Sequence, residues 1–319
     1  MSRASACASG RTPLARSSKR TSSPRRSSGS RAEPRCAVFG AGRFGRALAR
    51  ALKHAGIPVS ALGIRQGARP SALQRAAGVE LASGAVEFLE ALKAPSLVFI
   101  CVQDRHVPQA AAELAAIPGA RSHRFAHSCA TLGPSALDAL AQQGARVGTF
   151  HLLQSFGPSP FAWQRVAGSF CAIEASGGLR RESFERARAL GARPFDFRGP
   201  QRAAYHAAAV LASNALYTLL DAGERILAGA GFARRAAAEM LVPLMQGSLA
   251  NALALGAAEA LTGPVVRGDT ETVSRHLTAL TGRERELYRA LMLATLELAL
   301  RTGRLSQSHA APLEKLLRS

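Results

Sequence analysis

Three stretches of this 319-residue sequence hold side chains or glycines at spacings that suit chemistry. The first is GAGRFG, residues 40–45, in which Gly40, Gly42 and Gly45 fit the pattern G-x-G-x-x-G. The first glycine permits a tight turn and the second lets backbone approach a pyrophosphate. The third lets the following helix pack closely, and that helix's N-terminus offers positive potential to the phosphates. Arg43 and Phe44 fill the variable positions. The second stretch is QRAAYHAAAVLASNALYTLLDAGERIL, from Gln201 to Leu227. On a helix its His206, Ser213, Asn214, Tyr217 and Asp221 share one arc, under about 100° wide, surrounded by alanine and leucine. Such an arc faces either a ligand cleft or water. The third is ALTGPVVRGDTETVSRHL, residues 260–277, a polar knot inside helix-forming sequence. Asp269 suits a helix cap and Gly263-Pro264 suits a helix stop. Arg267 is left over. Its guanidinium suits an anion, or it pairs with Asp269 to fix the turn.

These groups need a frame, and the alternation of elements supplies one. An apolar strand, Cys36 to Phe39, runs into the glycine turn and a helix that ends at Gly56. Strands follow at Val59–Arg65, Ser96–Val102, the segment ending RFAHSCA, Arg146–His151, Gly168–Ala175 and Arg193–Arg198. Helices are expected near Ser71–Ala77, Val107–Ala116, Pro134–Gln143 and Arg181–Leu190. Strand alternating with helix implies an α/β domain, a parallel sheet covered on both faces. After Gly199-Pro200 only helical periodicity remains, with about five helices broken at Gly231, Gly263-Pro264, Gly282 and Pro312. The expected domains are residues 35–199, nucleotide-binding, and 200–319, helical and bearing substrate and dimer contacts.

The glycine pattern follows a strand and opens a helix, the context that makes it a dinucleotide site. An acid at the end of the second strand would bind a ribose 2′-hydroxyl, whereas arginine accommodates a 2′-phosphate. Here the strand ends LGIRQGAR, with Arg65 and Arg69 and no acid, so NADP is favoured over NAD.

The formal net charge of +20 suggests nucleic acid, but its distribution argues otherwise. Of 41 basic residues only Lys19, Lys53, Lys93 and Lys315 are lysines, a skew expected of a GC-rich genome. Much of the excess lies in residues 1–34, a Ser/Arg/Ala-rich stretch without hydrophobic period. That stretch reads as an extension before the true start, a cationic tail or a transit peptide. No basic cluster is interleaved with aromatics. Five widely spaced cysteines without CxxC argue against a disulfide framework and a zinc site and suit a reducing compartment. No apolar run is long enough to span a membrane, so a cytoplasmic location is expected.

The segments AVFGAGRFG, CVQDRHV, FAHSCAT, GTFHLLQSF, YHAAAVLASN and LTGPVVRGD, taken in order, resemble one bacterial family. That family pairs a Rossmann-like domain with a helical domain of unknown function, DUF2520. More distantly, the architecture is similar to that of 6-phosphogluconate dehydrogenase-like enzymes, whose helical domain closes over the nicotinamide. The resemblance implies an NADP-dependent oxidoreductase acting on a small carboxylated carbonyl or imine, with a non-catalytic NADP-binding regulator as the alternative. It carries Val102 and Gln103 over as cofactor contacts, and Ser128, Arg267 and His276 as substrate contacts. His206, His151 and Asn214 are the candidate catalytic groups. Several relatives carry a lysine four residues before the asparagine; here that position is Val210, so a histidine is left to act as the acid. Leu152 stands where the family pattern more often has proline after the histidine. Cys129 reads as a small buried residue. The expected partners are a small-molecule substrate and a second copy of the chain, with neither nucleic acid nor membrane.

Overall fold

The computed structural model describes residues 35–319; the basic extension expected over 1–34 lies outside the described residues. In chain order the first half contains β1 (Arg35–Phe39), α1 (Arg43–His54), β2 (Val59–Ile64), α2 (Ala72–Arg75), β3 (Leu81–Ser83) and α3 (Gly84–Glu90). There follow β4 (Ser96–Ile100), α4 (Val107–Ala115), β5 (Arg124–His127), α5 (Asp138–Gln142), β6 (Arg146–Leu153), β7 (Phe170–Glu174), α6 (Gly177–Ala189) and β8 (Arg193–Asp196). The strands form one sheet in the order β3-β2-β1-β4-β5-β6-β7-β8.

The period-2 alternation of the strands divides the apolar side chains between two faces. Cys36, Val38, Leu97, Phe99 and Phe150 enter one core with Leu48 and Leu52 of α1 and Leu179 of α6. Ala37, Phe39, Val98, Ile100 and Phe125 enter the other with Phe88 of α3, Val107 and Leu114 of α4 and Leu140 of α5. β4 is buried along its whole length, as its unbroken SLVFI run requires. The result is an α/β domain of Rossmann type.

Two features of the sheet differ from expectation. β3 and α3 were not anticipated, because LASGAVEFLE is too short to display a period. β7 runs antiparallel to β6, and β8 parallel to β7. The residues between β6 and β7 form a short 3₁₀ turn, Ala162–Val166, and no α-helix of the kind that usually makes a parallel crossover.

The second half is helical: α7 (Arg202–Gly229), α8 (Arg234–Leu255), α9 (Ala257–Ala260), α10 (Thr270–Ala279), α11 (Gly282–Arg301) and α12 (Gln307–Arg318). The breaks expected at Gly231, Gly263-Pro264 and Gly282 are present, and a further one occurs at Gly256, whose φ is 82°. Pro312 does not break the chain, because it lies inside α12. Burial of Ala310, Leu313 and Leu317 against Val273, Leu277 and Leu296 holds that helix together despite the lost hydrogen bond.

Candidate functional site

The glycine turn joins β1 to α1 at the carboxyl edge of the sheet. It lies where β2 and β4 flank β1 on opposite sides and their helices leave toward opposite faces. A crevice opens at such a switch point. Gly40 has φ 112°, and a Cβ there would lie 2.6 Å from the Cys101 carbonyl oxygen. A Cβ on Gly45 would lie 1.9 Å from the Gly40 carbonyl oxygen. These two glycines are required by the protein's own packing. Gly42 is different: its φ of −68° suits any residue, and a Cβ there would meet nothing within 4 Å. Its lack of a side chain leaves open space directly outside the turn. No side chain caps α1 and no acid occupies its first turn, so its leading N–H groups face that space free. The cradle fits a pyrophosphate.

At the adenosine end, Arg65 follows β2 directly, and Arg65, Gln66 and Arg69 are exposed. The loop carrying them is held by a Gly67 N–H to Ser83 Oγ bond of 3.1 Å. Gln74 Nε2 donates to the Ala41 carbonyl at 3.3 Å, tying α2 to the glycine turn. Val102 packs over the turn, its Cγ1 3.1 Å from where a Gly40 Cβ would be, and Gln103 beside it is exposed.

The opposite end of the crevice is built from the carboxyl ends of β5 and β6 and the first turns of α7. His127 is fully buried; its Nε2 lies 2.9 Å from the Gly133 carbonyl and its Nδ1 accepts from the Cys129 N–H at 3.2 Å. Both ring nitrogens are thereby used, and His127 holds the 128–133 loop to the strand end. Burial lowers its pKa and keeps it neutral. Ser128 sits on that loop, its N–H donating to the Ile100 carbonyl at 3.1 Å. Cys129 is buried as expected.

His151, on β6, has Nδ1 3.2 Å from the Tyr205 hydroxyl on α7, with the rings edge to face. Burial lowers the His151 pKa to about 4, helped by His206, Arg202 and His127 and opposed by Asp104. It is therefore a neutral imidazole near pH 7. Burial also pushes the Tyr205 hydroxyl up to about 12, so it remains a phenol. His206 Nδ1 is buried without a hydrogen-bond partner among the described residues. Asn214 is exposed and receives only the Ser213 hydroxyl, at 3.0 Å.

Arg202 anchors α7 by an ion pair with Glu174 and a 3.5 Å bond to the Ala130 carbonyl. The loop after β6 forms a side wall. Phe156 packs on Phe44 of the glycine turn with centroids 5.2 Å apart, and Ser155 Oγ lies 3.1 Å from the Tyr217 hydroxyl. Glycine turn, loop and α7 are thus linked side chain to side chain.

The polar knot is accounted for by different contacts. Asp269 caps α10, accepting from the Thr272 N–H at 2.9 Å and from its hydroxyl at 2.7 Å. Val265 is buried in the core of α10–α12. Arg304 donates to the Leu261 carbonyl at 3.1 Å. Arg267 is exposed; its backbone N–H donates to the Gly263 carbonyl at 3.4 Å, but among the described residues its side chain makes no hydrogen bond or ion pair and acts on Asp269 only through space. His276 Nδ1 lies 2.8 Å from the Tyr288 hydroxyl of α11. The structure therefore places the glycine turn, Val102, Ser128 and His151 at the carboxyl ends of β1, β4, β5 and β6, with His206 in the first turns of α7. The bonds around Arg267 and His276 run to the C-terminal helices instead.

Tyr205, Arg202 and Phe156 were missed in the sequence. A signal existed for Tyr205: the chain has only three tyrosines, and it stands beside His206. All three hydroxyls, those of Tyr205, Tyr217 and Tyr288, meet a polar side chain.

Comparison with known proteins agrees with this architecture. Residues 35–123 match the model of a family described as NADP oxidoreductase, coenzyme F420-dependent. Residues 169–295 match a domain of unknown function, DUF2520, whose match begins inside the sheet just before β7. No functionally curated protein matches the chain. Among solved structures, a candidate NADP oxidoreductase of Bacteroides fragilis aligns with TM-score 0.67 and 19% identity, covering 83% of this chain and 98% of its own. A protein of Thermotoga maritima aligns with TM-score 0.62 and 24% identity, covering 85% and 100%. Pyrroline carboxylate reductase of Plasmodium falciparum, with NADP bound, aligns with TM-score 0.52 and 10% identity, covering 89% and 98%. At these identities the likeness is one of fold. The chain is thus similar over residues 35–123 to the NADP oxidoreductase family and over residues 169–295 to DUF2520 domains.

Proposed function

We propose that this chain is an NADP-dependent oxidoreductase that reduces a small carboxylated carbonyl or imine. Residues 35–199 hold the dinucleotide, and residues 200–319 supply one cleft wall and the contact with a second copy. The observation that carries the reading is the empty-sided Gly42 cradle at the carboxyl end of β1, and the His151–Tyr205 pair where β6 meets α7 supports it. The family description of residues 35–123 and the NADP bound to the Plasmodium falciparum reductase support the choice of cofactor.

The Gly40–Gly45 turn and the free N–H groups of α1 receive the pyrophosphate, with Arg43 and Phe44 at its flank and Val102 and Gln103 along its far side. Arg65 meets the 2′-phosphate. When bound, the nicotinamide supplies a hydride. The carbonyl oxygen or imine nitrogen that gains electron density then needs a proton. Tyr205 donates its phenolic proton, its oxygen held in place by Nδ1 of the neutral His151, and the phenolate takes a proton back from water. The orphaned Nδ1 of His206 and the amide of Asn214 are left to bind substrate polar groups, with Ser128 at the strand end. Arg267 is proposed as a carboxylate contact only on its exposure and lack of a partner, and His276 only on its place in the helix that follows.

The test is NADPH oxidation by the full chain over a panel of keto acids and cyclic imino acids, beside NADPH and NADH titrations. Turnover of one panel member with NADPH supports the reading. Tight NADPH binding with no turnover across the panel would favour a redox-sensing binding protein instead.

A further inference from the structure

We infer that Asp104 recognises a positively charged nitrogen on the substrate, which makes an iminium, rather than a neutral carbonyl, the group that is reduced. This rests on the functional reading above and narrows its substrate.

Loops leave the carboxyl ends of β1, β2, β4, β5 and β6 at residues 40–42, 65–71, 101–106, 128–137 and 154–169. Asp104 is the only Asp or Glu in all of them. Cofactor phosphates explain arginines at such an edge but not an acid, which repels them. The place of the acid is specific as well. β4 lies between β1 and β5, with Ile100 opposite Phe39 on one side and His127 on the other. The loop of Asp104 therefore leaves the sheet between the glycine turn and the loop that begins with Ser128.

Local structure has no use for this charge. Asp104 begins a 3₁₀ turn, Asp104–His106, that leads into α4, and no side chain caps either element. The adjacent cation, Arg105, is engaged with His106, its Nε 3.2 Å from the His106 Nε2. The Asp104 carboxylate is exposed and accepts from the Thr131 hydroxyl at 3.2 Å, and Thr131 Oγ1 lies 3.2 Å from the Cys129 Sγ. An asparagine oxygen would accept from the same hydroxyl, so the bond does not call for a carboxylate.

The charge does reach the site. Burial lowers the pKa of His127 and of His151, and Asp104 opposes it in both. Both imidazoles are neutral near pH 7, so neither answers the carboxylate with a positive charge. Arg202 is taken up by Glu174. A negative charge is left within electrostatic reach of the His151–Tyr205 pair, and a cation on the substrate complements it.

A carboxylate close to a base favours its protonated form, so an imine bound beside Asp104 is held as the iminium. The iminium carbon accepts the hydride and the C=N π pair becomes the nitrogen lone pair. The amine so formed takes a proton from the Tyr205 phenol, which water restores. A ketone offers Asp104 no positive charge, and the carboxylate would oppose the oxyanion that develops on it.

Calorimetric titration of the full chain loaded with oxidised NADP tests this. The probes are pyrrolidine-2-carboxylate and piperidine-2-carboxylate, set against tetrahydrofuran-2-carboxylate and tetrahydropyran-2-carboxylate. Each pair contrasts a ring ammonium with a ring oxygen. The nitrogen rings should bind about tenfold more tightly or better. Asp104→Asn should bring each pair within about twofold, and Asp104→Glu should keep part of the preference, with NADPH affinity retained in both. Equal affinity of the unmodified chain for nitrogen and oxygen rings would overturn the inference, as would binding of none of the four. So would a preference that survives Asp104→Asn. Loss of NADPH affinity in Asp104→Asn would also overturn it, by assigning the carboxylate to the cofactor. Should Asp104→Asn not fold, the ring comparison on the unmodified chain and on Asp104→Glu decides. An unmodified chain that binds neither form of NADP refutes the functional reading, whereas NADP binding without a ring preference refutes the role of Asp104 alone.

Discussion

The Nδ1 of His151 lies 3.2 Å from the hydroxyl of Tyr205, joining a strand of the sheet to the long helix that begins the second half. The pair changes which group handles the proton. Burial holds His151 near a pKa of 4, so an imidazolium is not the acid at neutral pH. Tyr205→Phe should lower turnover by about 10²-fold or more while NADPH affinity stays within a factor of two or so. His151→Gln should lower turnover less. Equal loss of NADPH affinity and turnover in Tyr205→Phe would mean that the tyrosine only braces α7.

The same histidine predicts a pH dependence of stability. His151, His127 and His123 all have folded-state pKa values below the ordinary 6.5, burial being the largest cause in each. Between those values and 6.5 the unfolded chain binds more protons than the folded one. Stability is therefore lost as pH falls from about 6.5 toward 4, and is unaffected by these groups above 7. The Tm measured from pH 7.5 to 4.5 should fall, and His151→Gln should flatten part of the slope. A Tm that rises on acidification would contradict the buried neutral assignment.

Cofactor choice is predicted to lie in the loop after β2. Arg65 is exposed there and no acid is nearby in sequence. NADPH should bind more tightly than NADH, and Arg65→Asp should erase or invert the preference, a change of ~1–3 kcal/mol for a charge-assisted phosphate contact. Equal affinity of the unmodified chain for both nucleotides would remove Arg65 from this role.

Arg267 is predicted to be dispensable for folding. Its side chain is exposed and among the described residues makes no bond within the knot, whereas Asp269 caps α10. Arg267→Lys should leave Tm unchanged within about 1 °C and raise KM for a carboxylated substrate. Asp269→Ala should cost about 1 kcal/mol of stability. A Tm loss in Arg267→Lys equal to that of Asp269→Ala would assign the arginine to the turn.

Much of this molecule was legible in its residues, and what was not has physical causes. The strands showed as apolar runs and the glycine turn as a motif with context, because both are local. β3 and α3 escaped, being too short for a period to emerge. The reversal of β7 follows from the lack of an α-helix between it and β6, which no periodic signal in residues 154–169 announces. Pro312 was read as a break from its chemistry alone; tertiary burial of its neighbours outweighed that. The residue types and spacing single out His151 and His206 as candidates, but not Tyr205. Its partner lies 54 residues away, and nothing local announces the pairing. The polar knot had two explanations in sequence. Capping accounts for Asp269, and Arg267 still awaits its partner.

The measurement that bears most directly on the central claim compares Gly42→Ala with Gly45→Ala by NADPH calorimetry and thermal unfolding. A Cβ on Gly45 would collide with backbone at 1.9 Å, so that variant should lose at least ~1–3 kcal/mol of stability. A Cβ on Gly42 meets nothing in the protein itself. Gly42→Ala should therefore keep its Tm and lose NADPH affinity about tenfold or more, ~1.4 kcal/mol, because the methyl stands where the pyrophosphate must come. Full NADPH affinity in Gly42→Ala, or no NADPH binding by the unmodified chain, would contradict the assignment of this crevice as a dinucleotide site.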